Sequence, residues 1–86
     1  VAEIDLTQIP CPKVFGWLQQ VGNISEREML RTFNCGIGMI CVTTVESADE
    51  VMRLLEDQGE QVVRVGTIAE RRDGEEQVKP SGKLAL

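Results

Sequence analysis

The segment RTFNCGIGM, residues 31–39, brings together the groups in this sequence that are best suited to holding an anion. Glycines leave backbone N–H groups open to a phosphate, and guanidinium, hydroxyl and amide side chains supply further donors. The predicted residues for binding a substrate or phosphate are Arg31, Thr32, Asn34, Gly36 and Gly38. The expected ligand is a phosphate group of a substrate or a nucleotide, held in a small concavity.

The same segment also has a purely structural interpretation. Gly36 would end a helix in a left-handed turn, Gly38 would let a helix and a strand pack closely, and Asn34 would hydrogen-bond to local backbone. An isolated G-x-G is weak support for a phosphate loop, and here it lacks the strand-before-helix order of such loops. Residue types and spacing alone therefore favour the structural interpretation, although a glycine turn can both position a helix and line a groove.

Other candidate residues receive structural roles. Four acids lie in the first turns of predicted helices, where they favour the helix dipole and caps over a metal ion. They are Glu26, Glu28, Asp49 and Glu50, and no metal site is predicted. Trp17 has the helical spacing of a core or interface residue. The catalytic residues stay unknown, because the chain has no His and a thiolate at Cys35 would need a helix terminus or a cation.

The composition limits the classes of function. A chain of 86 residues forms one domain at most and buries only about 60–65% of its unfolded surface. A net charge of −5 opposes general binding to nucleic acid or anionic membranes, and no membrane span or signal peptide is indicated. Three cysteines without a C-x-x-C pair predict reduced thiols in a cytoplasmic protein, with Cys41 in the core. The first residue is Val, which suggests a processed piece or a fragment.

Apolar spacing predicts three helices. The first covers residues 12–21 and stops at Gly22, and the second runs to about residue 33. Ser25 and Glu28 form a capping-box pattern at the start of the second helix. Ser47 and Glu50 repeat that pattern before a third helix, which ends at Gly59.

Three strands are predicted around the third helix. The apolar run at residues 39–44 has the composition of a buried strand, and residues 61–68 and 77–79 form two more. Asp73 and Gly74 mark a hairpin-type turn between the last two strands. Residues 1–10 form an arm that leads into the first helix, and residues 80–86 form a loose tail.

These elements predict an α+β fold in the order helix, helix, strand, helix, strand, strand. Helices would cover one face of a small mixed sheet. Too few elements follow to cover the other face, so we expect other parts of a longer chain, or a second copy, to cover it.

Three segments of the sequence resemble a known protein family. VFGWLQ at residues 14–19, RTFNCGIGM and the later EQVVRVGTI closely resemble the C-terminal region of aminoimidazole ribonucleotide synthetase, also called phosphoribosylformylglycinamidine cyclo-ligase. The resemblance spans nearly all of residues 10–79. It implies that the chain, residues 1–86, is one partial domain, the last portion of a larger α/β sandwich domain.

The resemblance also implies a reaction. Members of that family close the imidazole ring of formylglycinamidine ribonucleotide with ATP and Mg²⁺, and they release ADP and phosphate. ATP and Mg²⁺ are expected to bind mainly outside this chain, on a missing N-terminal ATP-binding domain that also forms a homodimer. The isolated chain is therefore expected to be inactive.

Two alternatives stay open from the sequence. The chain could be a non-catalytic α+β interaction module that pairs through its open sheet face. A related synthetase with the same superfamily fold fits the quoted residues less well. Arg31 could bind a phosphate, or it could pair with Glu28 or with an acid elsewhere on the fold.

Overall fold

The α+β class predicted from the sequence is confirmed by the computed structural model, which describes residues 1–86. Three α-helices and three strands form the chain, together with two short 3₁₀ turns. In order these are β1 (Ala2–Asp5), the 3₁₀ turn Leu6–Gln8, α1 (Lys13–Gly22), α2 (Glu26–Thr32), the 3₁₀ turn Val45–Ser47, α3 (Ala48–Asp57), β2 (Gly66–Ile68) and β3 (Val78–Ser81).

The sheet is mixed and has β1 at its centre. Strand β1 runs antiparallel to β2, with Ala2 opposite Ile68, and parallel to β3, with Ala2 also opposite Val78. The order in the sheet is β2-β1-β3. The first strand of the chain is therefore held on both edges by residues more than sixty positions further along.

Strand pairing differs from the sequence-based prediction in three ways. Residues 1–10 are not an arm without regular structure, because they contain the central strand β1. The strand predicted at residues 39–44 is wrong, since this run is paired with no other strand. The predicted hairpin is also wrong: Gly74 does lie in a turn, with φ +83°, but β2 and β3 both pair with β1 rather than with each other.

The strand limits also shift. The predicted strand 61–68 is reduced to Gly66–Ile68, although the Val65 carbonyl still accepts a hydrogen bond from the Asp5 N–H at 2.7 Å. The predicted strand 77–79 becomes Val78–Ser81. It therefore extends into residues 80–86, which were predicted to be loose.

Local capping signals explain most of the helix limits. The Ser25 hydroxyl accepts a hydrogen bond from the Glu28 N–H at 3.3 Å, as the capping box predicts for α2. Helix α1 ends one residue later than predicted, because Asn23 rather than Gly22 takes the left-handed conformation, with φ +50°. The cap predicted at Ser47 is wrong, since its side chain makes no capping bond to α3.

A small core joins the two ends of the chain. Its buried members are Leu6, Cys11, Met29, Cys35 and Leu84. Leu84 lies in the predicted loose tail, yet its N–H donates to the Glu26 carboxylate at 3.0 Å and its side chain is only 6% exposed. Cys41, predicted to be a core residue, is exposed because the strand that would have buried it does not form.

The molecule divides into two regions that differ in packing. Residues 1–38 and 66–86, which we call the body, contain the sheet, α1, α2 and every buried residue. Residues 39–65, which we call the 39–65 segment, contain α3, whose main contact is with the 3₁₀ turn just before it. The overall dimensions of 42 × 40 × 17 Å describe a flat molecule. No helix is long and apolar enough to span a membrane.

Candidate functional site

The loop after α2 is a tight turn held by Asn34. The Asn34 carbonyl accepts a hydrogen bond from the Ile37 N–H at 3.0 Å, and its side-chain oxygen accepts one from the Gly36 N–H at 2.9 Å. The two central residues, Cys35 and Gly36, have positive φ angles of 52° and 106°. Asn34 therefore bonds to local backbone, as the structural interpretation predicts.

Gly36 is required by a close approach as well as by its backbone angle. A Cβ atom at this position would lie 2.6 Å from Cδ of Pro12 and 3.4 Å from the Cys11 nitrogen. The turn after α2 thus packs directly against the turn before α1. A side chain at residue 36 would push the two turns apart.

Gly38 has a different environment. Nothing lies within 4 Å of the position that a Cβ would occupy, so the prediction that Gly38 allows close packing of a helix and a strand is wrong. Its φ angle is also outside the left-handed region. The fold of this chain alone therefore gives no reason for glycine at residue 38.

Three backbone donors in this loop have no partner within the chain. The amides of Gly36 and Ile37 are used by Asn34, but those of Asn34, Cys35 and Gly38 make no hydrogen bond. Unpaired N–H groups on neighbouring residues are the donors that bind anions in backbone concavities. The loop thus keeps part of the donor set that an anion site needs.

The predicted side-chain donors are spread over two grooves. Arg31 lies beside Arg27 in a polar groove that also contains Glu26 and Glu76. Its guanidinium pairs with the Glu28 carboxylate at 3.1 Å, which is one of the alternatives that the sequence leaves open. Thr32 is exposed and its hydroxyl makes no hydrogen bond within the chain.

An apolar groove separates the loop from the sheet. Asn34 and Gly38 line it, together with apolar side chains of β1, α2 and β3. Leu30, Val78 and Pro80 border both this groove and the polar one, so the two grooves are neighbours. The structure therefore brings Asn34 and Gly38 together and places Arg31 on the other side of this apolar border.

The remaining candidates have partners or surroundings that fit structural roles. Burial raises the pKa of the Cys35 thiol, and the nearby Cys11 side chain raises it further, which opposes a reactive thiolate. Asp49 pairs with Arg64 at 2.6 Å. Trp17 is 60% exposed, so it is not a core residue of this chain.

Two further residues of the polar groove, Arg27 and Glu76, are not among the site residues predicted from the sequence. Arg27 lies one helical turn before Arg31, and its guanidinium is 4.0 Å from the Glu76 carboxylate. The i,i+4 spacing of the two arginines on α2 is visible in the sequence and could have indicated a shared face. Glu76 could not have been found in this way, because it comes from the distant turn before β3.

The sequence of the chain matches a known protein family. A model of the family "AIR synthase related protein, C-terminal domain" matches residues 1–79, and the chain belongs to this family. Three similar relatives carry the name phosphoribosylformylglycinamidine cyclo-ligase.

The enzymes from Neisseria meningitidis serogroup B and Neisseria gonorrhoeae are 51% and 49% identical to the chain over 79 residues. The enzyme from Chromobacterium violaceum is 48% identical over the same length. Each match covers 92% of this chain and 23% of the relative. The chain therefore spans less than a quarter of the length of these relatives.

Proposed function

We propose that the chain is the C-terminal part of a cyclo-ligase that closes the imidazole ring of formylglycinamidine ribonucleotide in purine biosynthesis. The observation that carries the proposal is the identity of about one half to enzymes named for this reaction, over 92% of the chain. The enzyme would use ATP to activate the amide oxygen by phosphorylation, and the neighbouring amine would then attack to close the ring. ADP and phosphate would leave.

Within that enzyme, we assign the loop at residues 34–38 to binding a phosphate of the ribonucleotide. The unpaired amides of Cys35 and Gly38 support this role, since they are donors without a structural use. The open space at Gly38 supports it too, because the fold of the chain does not call for glycine there. Arg31 and Thr32 would contribute from the adjoining edge, after Arg31 exchanges Glu28 for the ligand.

ATP and Mg²⁺ are assigned mainly to parts of the longer protein outside this chain. The chain corresponds to only 23% of the length of its relatives, so most of the residues of such an enzyme lie outside it. The missing N-terminal domain would provide the nucleotide site and the homodimer contact. A cytoplasmic location agrees with the free state of all three cysteines.

The apolar run of the 39–65 segment supports a missing neighbour. Met39, Ile40 and Val42 are 65–84% exposed, which is unusual for three apolar side chains so close in sequence. A neighbouring part of the longer enzyme would cover them. A non-catalytic interaction module that pairs through its open sheet face is the alternative, and it predicts no ligand binding at residues 34–38.

A chimeric enzyme tests the proposal directly. The chain would replace the segment that it matches in the N. meningitidis enzyme, and cyclo-ligase activity would be measured with the ribonucleotide and ATP. We expect activity from the chimera and none from the isolated chain. A chimera that folds and binds ATP yet forms no product would contradict the proposal.

An NMR titration of the isolated chain tests the loop. We expect the amides of Asn34, Cys35 and Gly38 to shift with the ribonucleotide, while Gly74, an exposed glycine in another turn, serves as the internal control. Arg31→Gln should weaken binding by about tenfold, as expected for losing a charge-assisted hydrogen bond. Arg53→Gln, an exposed arginine on α3, is the matched control and should leave binding unchanged.

A further inference from the structure

Two turns that are far apart in sequence each bring a buried thiol into the same small core. Cys11 lies between Pro10 and Pro12 in the turn before α1, and Cys35 lies in the turn after α2. Cys11 is 6% exposed and Cys35 is 1% exposed, and both belong to the core cluster. Neither thiol has a role in the function proposed above.

The contact between the two turns is direct. The Cβ position at Gly36, the residue after Cys35, is 3.4 Å from the Cys11 nitrogen. Cys11 and Cys35 also both have left-handed backbone angles, with φ +40° and +52°, although neither is glycine. The Cys11 side chain is near enough to act on the titration of the Cys35 thiol. The structure thus places two free, buried thiols on two turns that contact each other.

We propose that Cys11 and Cys35 form a site of reversible oxidation, at which a peroxide converts the two thiols into an intramolecular disulfide. The bond would tie the loop at residues 34–38 to the turn before α1. This inference does not depend on the proposed function, because it rests on the packing of the two turns alone.

The chemistry balances with hydrogen peroxide as the named oxidant. The Cys11 sulfur, the more exposed of the two, attacks one peroxide oxygen, which breaks the O–O bond and gives a sulfenic acid and water. The Cys35 sulfur then attacks the sulfenic sulfur, an S–S bond forms, and the S–O oxygen leaves as a second water. The two thiols lose two electrons and two protons, and a thiol reductant reverses the step.

Burial decides the rate and the order of events. Desolvation disfavours the Cys35 thiolate, so Cys35 acts as the thiol that resolves the sulfenic acid rather than as the first one attacked. Under reducing conditions both Cys11 and Cys35 remain thiols, and this is the resting state of the site. Cys41 is exposed and lies outside the body, so it is the thiol that an oxidant reaches most easily.

The test uses the full 86-residue chain with Cys41→Ser, because trypsin leaves Cys35 and Cys41 on one peptide, residues 32–53. The folded variant would be treated with hydrogen peroxide, alkylated, digested without reduction and analysed by mass spectrometry. We expect peptide 1–13 linked to peptide 32–53, with the loss of two hydrogens. Cys11→Ser in the same background should abolish the linked species.

A matched variant separates proximity from chance pairing. Cys35→Ser leaves Cys11 and Cys41, and its intramolecular linking should be slower by at least about tenfold, because the effective concentration of distant thiols is lower. Cys35→Ala repeats the comparison if the hydroxyl disturbs the core. Equal linking rates in the Cys41→Ser and Cys35→Ser chains would overturn the proposal, and so would oxidation of the Cys41→Ser chain to sulfinic acid or to linked dimers only.

Discussion

Local interactions form helices in both the body and the 39–65 segment, but the two regions differ in the long-range contacts that stabilise them. The body contains all five buried residues, and its elements hold one another through the sheet and the core. The 39–65 segment forms a regular helix, α3, yet it buries none of its residues fully. Local signals are therefore sufficient to form a helix in this chain, and long-range partners are needed to bury it.

The largest contrast is expected in core truncation. Met29→Ala removes a side chain with 0% exposure and should lower the free energy of unfolding by about 2–5 kcal/mol. Val45→Ala removes an apolar side chain that is 89% exposed and should change it by less than about 0.5 kcal/mol. Urea unfolding followed by circular dichroism measures both. Similar losses for the two variants would show that the 39–65 segment is packed as tightly as the body.

The two regions should also differ in the reactivity of their thiols. Cys41 should react with an aromatic disulfide reagent at least about a hundredfold faster than Cys35, since only Cys41 is open to solvent. The pKa of Cys35 is raised, so its thiolate fraction, and with it its labelling rate, should keep increasing at pH values above those that ionise an ordinary thiol. Labelling rates at several pH values, read by mass spectrometry, check this. Equal rates for the two cysteines would mean that the core opens freely.

The two loop glycines give a smaller effect at the border between the regions. Gly36→Ala places a Cβ against Pro12 at a positive φ angle and should cost about 1–3 kcal/mol. Gly38→Ala meets open space and should change stability by less than about 0.5 kcal/mol. Thermal unfolding of both variants provides the measurement. A Gly38→Ala loss as large as that of Gly36→Ala would argue for a structural role at residue 38.

The helix caps give the smallest expected difference. Ser25→Ala removes the hydroxyl that caps α2 and should cost about 1 kcal/mol. Ser47→Ala removes a hydroxyl that makes no capping bond to α3, so stability should stay within about 0.5 kcal/mol. Parallel denaturant titrations compare the two. An equal cost would indicate that Ser47 does cap α3 in solution.

The helices could be predicted from the sequence because their hydrogen bonds and caps are local. The Ser25 cap and the end of α1 near Gly22 can be predicted from a few neighbouring residues. Both predicted helix ends lie within one residue of those in the structure. The failed cap at Ser47 has a local cause as well: a 3₁₀ turn ends at this residue, which leaves it with helical rather than extended backbone angles.

The strands could not be predicted as well, because pairing depends on distant residues. Residues 2–5 have no strong pattern, yet they form the central strand since both edges are met by later segments. Residues 39–44 have the better strand composition and remain unpaired because no partner reaches them within this chain. The composition of a segment shows only that its side chains would fit a sheet. Hydrogen bonding to a partner strand determines whether the segment joins one.

The sequence predicts the individual residues of the candidate site but not how they are placed relative to one another. The Asn34 turn follows from the tendency of Asn to bond to nearby backbone, which acts over two or three residues. The separation of Arg31 from Gly38 by an apolar border depends on Val78 and Pro80, which come from the last strand. The pairing of Cys11 with Cys35 could not be seen either, because it depends on how the turns around α1 and α2 meet.

The central position of β1 also has a consequence for how the chain folds as it is made. Within this chain strand β1 is made before the helices, but both of its neighbours belong to residues 66–81. The sheet must therefore wait for nearly the whole chain, while α1 and α2 can form at once from local contacts. During synthesis, Ile4 and Leu6 therefore remain without their final neighbours until the last residues of the chain have been made.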